Sequence, residues 1–105
     1  MRNYRTFGEV EEEYFRKHPE EIEDYLTIIF EEYAKDDDMG ALLSSLRTVS
    51  RAKGITTVAE EAGLSRKGLQ KALSEDGNPK FESINAIMHA IGYHLTSQKL
   101  DGHPR

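Results

Sequence analysis

Apolar residues recur along this chain at spacings of three and four, a rhythm that predicts helices almost throughout. Phe7, Val10 and Tyr14 mark a short first helix. Pro19 predicts the start of a second, because a first-turn proline forfeits no hydrogen bond and Glu20, Glu21, Glu23 and Asp24 suit the positive end of the helix dipole. Its stripe is Ile22, Tyr25, Leu26, Ile29 and Tyr33, and Ile28 and Phe30 widen it, which predicts cover on more than one side. Asp36, Asp37 and Asp38 break the pattern and offer an N-cap to a third helix. That helix carries Leu42, Leu43, Leu46 and Val49 and closes with Arg51 and Lys53 ahead of Gly54. Beyond the turn at Asn78-Pro79, a further helix runs through Phe81, Ile84, Ile87, Met88 and Ile91 to Gly92. Residues 93–96 alternate in the manner of a short strand.

Between the third and last of these lies the stretch that carries the chemistry, residues 57–74. Thr57 with Glu60 three residues later has the form of a capping box and predicts a helix start. That helix is only two turns long, since Gly63 follows Ala62, and Ser65 then caps a second short helix. Two helices joined by so short a turn must cross steeply, which makes side-chain size critical. Ala59 is small where the second helix presses on the first, and Gly63 allows the backbone geometry of a sharp corner. Leu64 and Leu69 fill the angle, with Val58, Ala62 and Ala72 lining it. The outer face presents Ser65, Arg66, Lys67, Gln70, Lys71 and Ser74, and residues 65–74 contain three bases and no acid. Such a face neutralises phosphates and offers Arg, Lys and Gln to base edges in the major groove. Thr56 and Thr57, at an exposed helix start, present N–H groups to a phosphate, and Lys53 and Lys80 are further backbone contacts. Gly68 is the awkward residue, because a glycine inside a helix costs ~1 kcal/mol relative to alanine.

Charge sharpens this picture. The net charge of −5 argues against nucleic acid until its distribution is read: residues 1–40 hold 13 acids and 5 bases, residues 41–105 hold 6 acids and 9 bases. An acidic head and a basic body predict two surfaces with two partners. The expected division is an acidic helical extension over 1–40, a helix-turn-helix domain over 41–97 and a flexible tail over 98–105. A chain of 105 residues without cysteine supports a single core and excludes disulfides and thiolate zinc sites. No apolar run is long enough to span a membrane, and the opening residues turn acidic, so a cytoplasmic protein is expected.

Enzymatic readings find no support. Asp36–Asp38 lack the alternating ligands and central glycine of a calcium loop. His18, His89, His94 and His103 form no ligand pair on a helix face, Ser65 lies outside any nucleophile elbow, and no glycine-rich phosphate loop occurs. Neither a metal nor a cofactor is expected.

The run from Leu46 to Gly92 resembles the phage-repressor (Cro/C1-type) helix-turn-helix domain. More narrowly, Ala52-Lys53-Gly54-Ile55-Thr56, Ala59-Glu60-Glu61-Ala62-Gly63-Leu64-Ser65-Arg66 and Lys71-Ala72-Leu73-Ser74-Glu75-Asp76-Gly77-Asn78-Pro79 resemble addiction-module antidote proteins, the antitoxins of HigA-like type II toxin–antitoxin modules. Pro19-Glu20-Glu21-Ile22 with Tyr25-Leu26 is similar to that family's N-terminal helix. The resemblance implies an all-α repressor fold of about five helices, homodimerisation, a palindromic operator, and a small basic toxin partner that cleaves messenger RNA. Two departures stand out. Gly68 replaces a larger polar residue, and the N-terminal segment, with Glu11-Glu12-Glu13 and Glu31-Glu32, is longer and more acidic than the pattern. A stand-alone repressor without a toxin, and a protein-interaction module whose motif is unused, remain the alternatives. Residues 81–97 are the expected dimer surface.

Overall fold

The computed structural model describes residues 7–100, and of Phe7 only the backbone. The expectations for the Phe7 side chain and residues 101–105 lie outside the described residues. Six helices follow one another: α1 (Phe7–Lys17), α2 (Ile22–Asp36), α3 (Met39–Lys53), α4 (Ile55–Ala62), α5 (Arg66–Ala72) and α6 (Phe81–Ile91), with a single 3₁₀ turn, Pro19–Glu21, leading into α2. The fold is all-α, and the described residues contain no strand.

The joints between helices show how the sequence sets these boundaries. The three aspartates divide the work. Asp37 ends α2 in the left-handed region at φ 55°, Asp36 accepts from the Asp38 N–H at 2.9 Å, and Asp38 caps α3 by accepting from the Ala41 N–H at 3.0 Å. Between α3 and α4 a single residue suffices. The Gly54 N–H reaches the carbonyls of Ser50 and Arg51, while its own carbonyl already receives the Val58 N–H at 3.0 Å. The chain therefore re-enters a helix at Ile55, two residues before the expected capping box. Thr57 lies inside α4, and no side chain caps that helix. The capping-box reading of Thr57 and Glu60 is thereby corrected: a one-residue hinge leaves no room for it.

α3 is the spine. It packs against α1, α2, α4 and α6, and Leu43, Leu46 and Val49 along it are almost wholly buried. α4 lies across α6, where Val58 and Ala59 meet the layer containing Ile84, Ile87, Met88 and Ile91. Phe15, Ile22 and Leu26 extend the same core towards the N-terminus. Tyr25 fastens α2 to this body through its ring contact with Phe15, at 4.6 Å between centroids, and a hydrogen bond with Ser45. Its phenol is pushed up by burial, and the nearby Glu11 carboxylate adds to the shift.

Four expectations about apolar faces need correction. Val10 and Tyr14 are 50% and 45% exposed, because α1 turns Phe15 inward instead. Ile28 is 54% exposed, whereas Phe30 packs half-buried against the core, so only one of the two residues expected to widen the stripe is covered. Phe81 stands 73% exposed at the first position of α6, before that helix reaches the core. Residues 93–96 pair with no strand among the described residues. Their alternation instead turns Tyr93 and Leu95 onto the core and leaves His94 and Thr96 exposed, so the two-residue period reflects packing without a ladder.

Two substitutions test the packing. Ala59→Leu forces extra volume into the layer between α4 and α6 and should lower stability by ~1–3 kcal/mol in denaturant melts; an unchanged midpoint would contradict this arrangement. The Ser50 hydroxyl is fully buried and finds no hydrogen-bond partner among the described residues. Ser50→Ala should therefore leave stability unchanged or raise it by up to ~1 kcal/mol, since it removes a polar group whose desolvation is uncompensated.

Candidate nucleic-acid interface

α4 and α5 form two short helices joined by a three-residue turn. The corner is a Schellman closure: the Leu64 N–H donates to the Ala59 carbonyl at 2.9 Å and the Gly63 N–H to the Glu60 carbonyl at 3.2 Å. Gly63 adopts φ 75°, where a side chain would be strained. Leu64 follows half-buried against the core.

α5 is only seven residues long and is secured at both ends. Ser65 caps its start by accepting the Gly68 N–H at 2.9 Å. A β-carbon at Gly68 would stand 3.0 Å from that hydroxyl, so glycine gives the capping serine its room. Leu69 and Leu73 are buried in the core beneath the helix. At the far end the Arg47 guanidinium, from α3, donates to the Leu73 carbonyl, and the Ser74 hydroxyl donates to the Lys71 carbonyl at 2.8 Å. Gly77 folds back so closely that a β-carbon there would collide with the Ala72 carbonyl.

This anchoring leaves Arg66, Lys67, Gln70 and Lys71 exposed together on the outer face of α5. Thr56 and Thr57, the second and third residues of α4, are exposed beside an uncapped helix start. Thr56, Thr57, Arg66 and Gln70 line one groove of about 520 Å³. Ser65 and Ser74 are placed differently from the other six residues of the expected site. Both hydroxyls are engaged by α5 itself, and Ser74 is half-buried. Lys53 and Lys80 are exposed at the end of α3 and just before α6.

Two residues that the sequence reading left unassigned belong to this region. Arg47 clamps the end of α5, and Arg51, one turn further along α3, lines both of the adjoining grooves that Gln70 also lines. The signal was available as an i, i+4 pair of arginines on α3, but nothing local says that α5 docks beside them.

Among the described residues no three His, Asp or Glu side chains gather as metal ligands would, and no helix is long and apolar enough to cross a membrane. The body is all-helical, and α5 itself presents Arg66, Lys67, Gln70 and Lys71 with no acid among its residues. Residues 9–99 match the model of a family described as probable addiction module antidote proteins. The chain belongs to that family. It is also 39% identical over 80 residues to a Haemophilus influenzae (strain Rd) protein described as uncharacterized, covering 76% of this chain and 78% of the relative. No solved structure gives a significant match.

The clamp on α5 is testable. Arg47→Met should lower stability by ~1–3 kcal/mol, since it removes a charged donor from a partly buried carbonyl. It should also speed amide exchange at Leu73 more than in α6. Equal protection in the two proteins would show that Leu69 and Leu73 suffice.

Proposed function

We propose that this protein is a sequence-specific DNA-binding repressor, of the phage-repressor helix-turn-helix type, and the antitoxin of a type II toxin–antitoxin pair. The observation that carries the DNA reading is the exposed face of α5, where Arg66, Lys67, Gln70 and Lys71 stand together without an acid. In this reading α5 enters the major groove, where Gln70 pairs with adenine and Arg66 or Lys67 with guanine, each contact supplying roughly 1–3 kcal/mol of discrimination. Lys71 and the start of α4 at Thr56 and Thr57 hold phosphates, with Lys53, Lys80 and Arg51 behind them. Ser65 and Ser74 contribute by shaping α5, and their oxygens remain able to accept hydrogen bonds.

A homodimer would set two α5 helices one DNA turn apart, roughly 34–36 Å, on a palindromic operator. The exposed Phe81 and residues 81–97 supply the dimer surface in this reading. The antitoxin role rests on the family, whose members are described as probable antidotes. The acidic N-terminal helices would steer a small basic, mRNA-cleaving toxin by complementary charge. This reading places the protein in the cytoplasm, with the DNA and the toxin it would bind.

Gel-shift titration with the gene's own upstream DNA tests the reading. Saturable binding that competitor DNA does not displace is expected, and its absence would refute the repressor role. Lys71→Ala should weaken binding and reduce the slope of log affinity against log salt by about one unit; an unchanged slope would remove Lys71 from the phosphate contacts. Co-expression with a neighbouring small basic protein should restore growth if the antitoxin role holds.

A further inference from the structure

The segment that follows α6 is seated on the core yet makes no backbone hydrogen bond. α6 stops at Gly92, where the Tyr93 N–H donates to the Met88 carbonyl at 2.9 Å. Beyond that point no N–H or carbonyl of residues 94–100 bonds to another backbone group among the described residues. Tyr93 and Leu95 nevertheless pack on the core, and His94 and Thr96 stay exposed. Burial that alternates at a period of two is the pattern of an extended chain, whose successive backbone groups point to opposite edges. With the Tyr93 N–H turned onto α6, the backbone groups of His94 and Thr96 fall on the other edge. Open edges are ordinarily guarded against pairing by charged side chains, proline or a bulge. The run from Tyr93 to Gln98 contains no acid, lysine, arginine or proline. It is an unguarded edge on a fixed base.

We propose that residues 94–97 form an antiparallel β-ladder with the same residues of a second copy of this chain, through the edge that His94 and Thr96 present. The proposal deepens the homodimer reading given above and rests on it. Two identical segments related by a two-fold axis are self-complementary, because each donor on one copy meets an acceptor on the other. Charge selects the same place. A chain of net charge −5 repels its own copy, most of all through residues 1–40 with their 13 acids and 5 bases. The uncharged run from 93 to 98 lets two copies meet without like charges face to face. A ladder of two short strands is marginal in isolation. Here Tyr93 and Leu95 already hold each strand against a folded core, so little ordering remains to oppose the pairing. The two-residue period that finds no ladder within one chain is completed by the second.

The test uses the full chain in sedimentation equilibrium between about 1 and about 100 μM, with circular dichroism to check that each variant folds. Thr96→Pro removes one N–H per copy from the pairing edge. That N–H bonds to no backbone group within the chain, so the monomer loses no backbone hydrogen bond. Thr96→Ala keeps the N–H, and Ser97→Pro removes one from the opposite edge. The wild type should dimerise, and T96P should raise the dimer Kd by about tenfold or more, while T96A and S97P change it by less than about threefold. In the wild type, amide exchange at Thr96 should slow as the protein concentration passes through the Kd, and exchange at Ser97 should not. This second measurement needs no variant. A dimer that T96P leaves intact, equal weakening by S97P, or Thr96 exchange that ignores concentration would overturn the ladder and leave the homodimer reading standing. A wild type that stays monomeric at every concentration would overturn the ladder and the homodimer together, while the gel shift still decides the DNA reading of α5.

Discussion

A helix of seven residues cannot sustain itself in water, and α5 is that short. What keeps it helical is burial of Leu69 and Leu73, both almost fully removed from solvent. Those two side chains reach the core after Gly63 turns the chain sharply at the end of α4. The Ser65 cap and the Arg47 clamp then fix the two ends. The outward cationic face follows from this anchoring: once leucines hold the inner side of a short helix, Arg66, Lys67, Gln70 and Lys71 have only solvent to face. Rigid presentation of a few polar side chains is what reading base edges requires.

The rest of the molecule serves that arrangement. α3 carries deeply buried leucines and also projects Arg47 and Arg51 to α5, where Arg47 holds the Leu73 carbonyl. α6 closes the far side of α4 with an apolar layer. α1 and α2 share the same core through Phe15, Ile22 and Leu26, so the acidic N-terminal half is packed onto the body that carries α5. Charge of both signs is therefore brought to one groove by helix packing. A steeply uneven charge distribution along the sequence becomes, in three dimensions, a local balance around the proposed binding face.

Much of this was legible in the sequence, because local physics dictates it. Period-3.6 apolar stripes located four of the six helices, capping and turn residues placed the two short ones, and Asp38, Gly63, Ser65 and Gly92 punctuated them as their chemistry requires. The basic, acid-free character of residues 65–74 needed no structure to be seen. Where local patterns misled, a tertiary or backbone constraint intervened. Thr57 and Glu60 have capping-box chemistry, but Gly54 links two helices in one residue and starts α4 earlier. At Gly68 a β-carbon would stand 3.0 Å from the Ser65 hydroxyl, a contact with another residue's side chain that the sequence alone does not show.

By itself, then, the sequence determined the helices, the corner between α4 and α5 and the cationic face, since each depends on residues within a few positions of one another. Only the tertiary structure decided which face of α1 is buried, that Phe81 and Ile28 stay exposed, and that Arg47 reaches Leu73 across 26 residues. It alone brought Glu9 and Glu12 to the same groove as Arg66 and Gln70. The reason is physical: helical backbone hydrogen bonds and caps are satisfied locally, whereas burial, electrostatics and long-range side-chain hydrogen bonds depend on whatever the folded chain brings near.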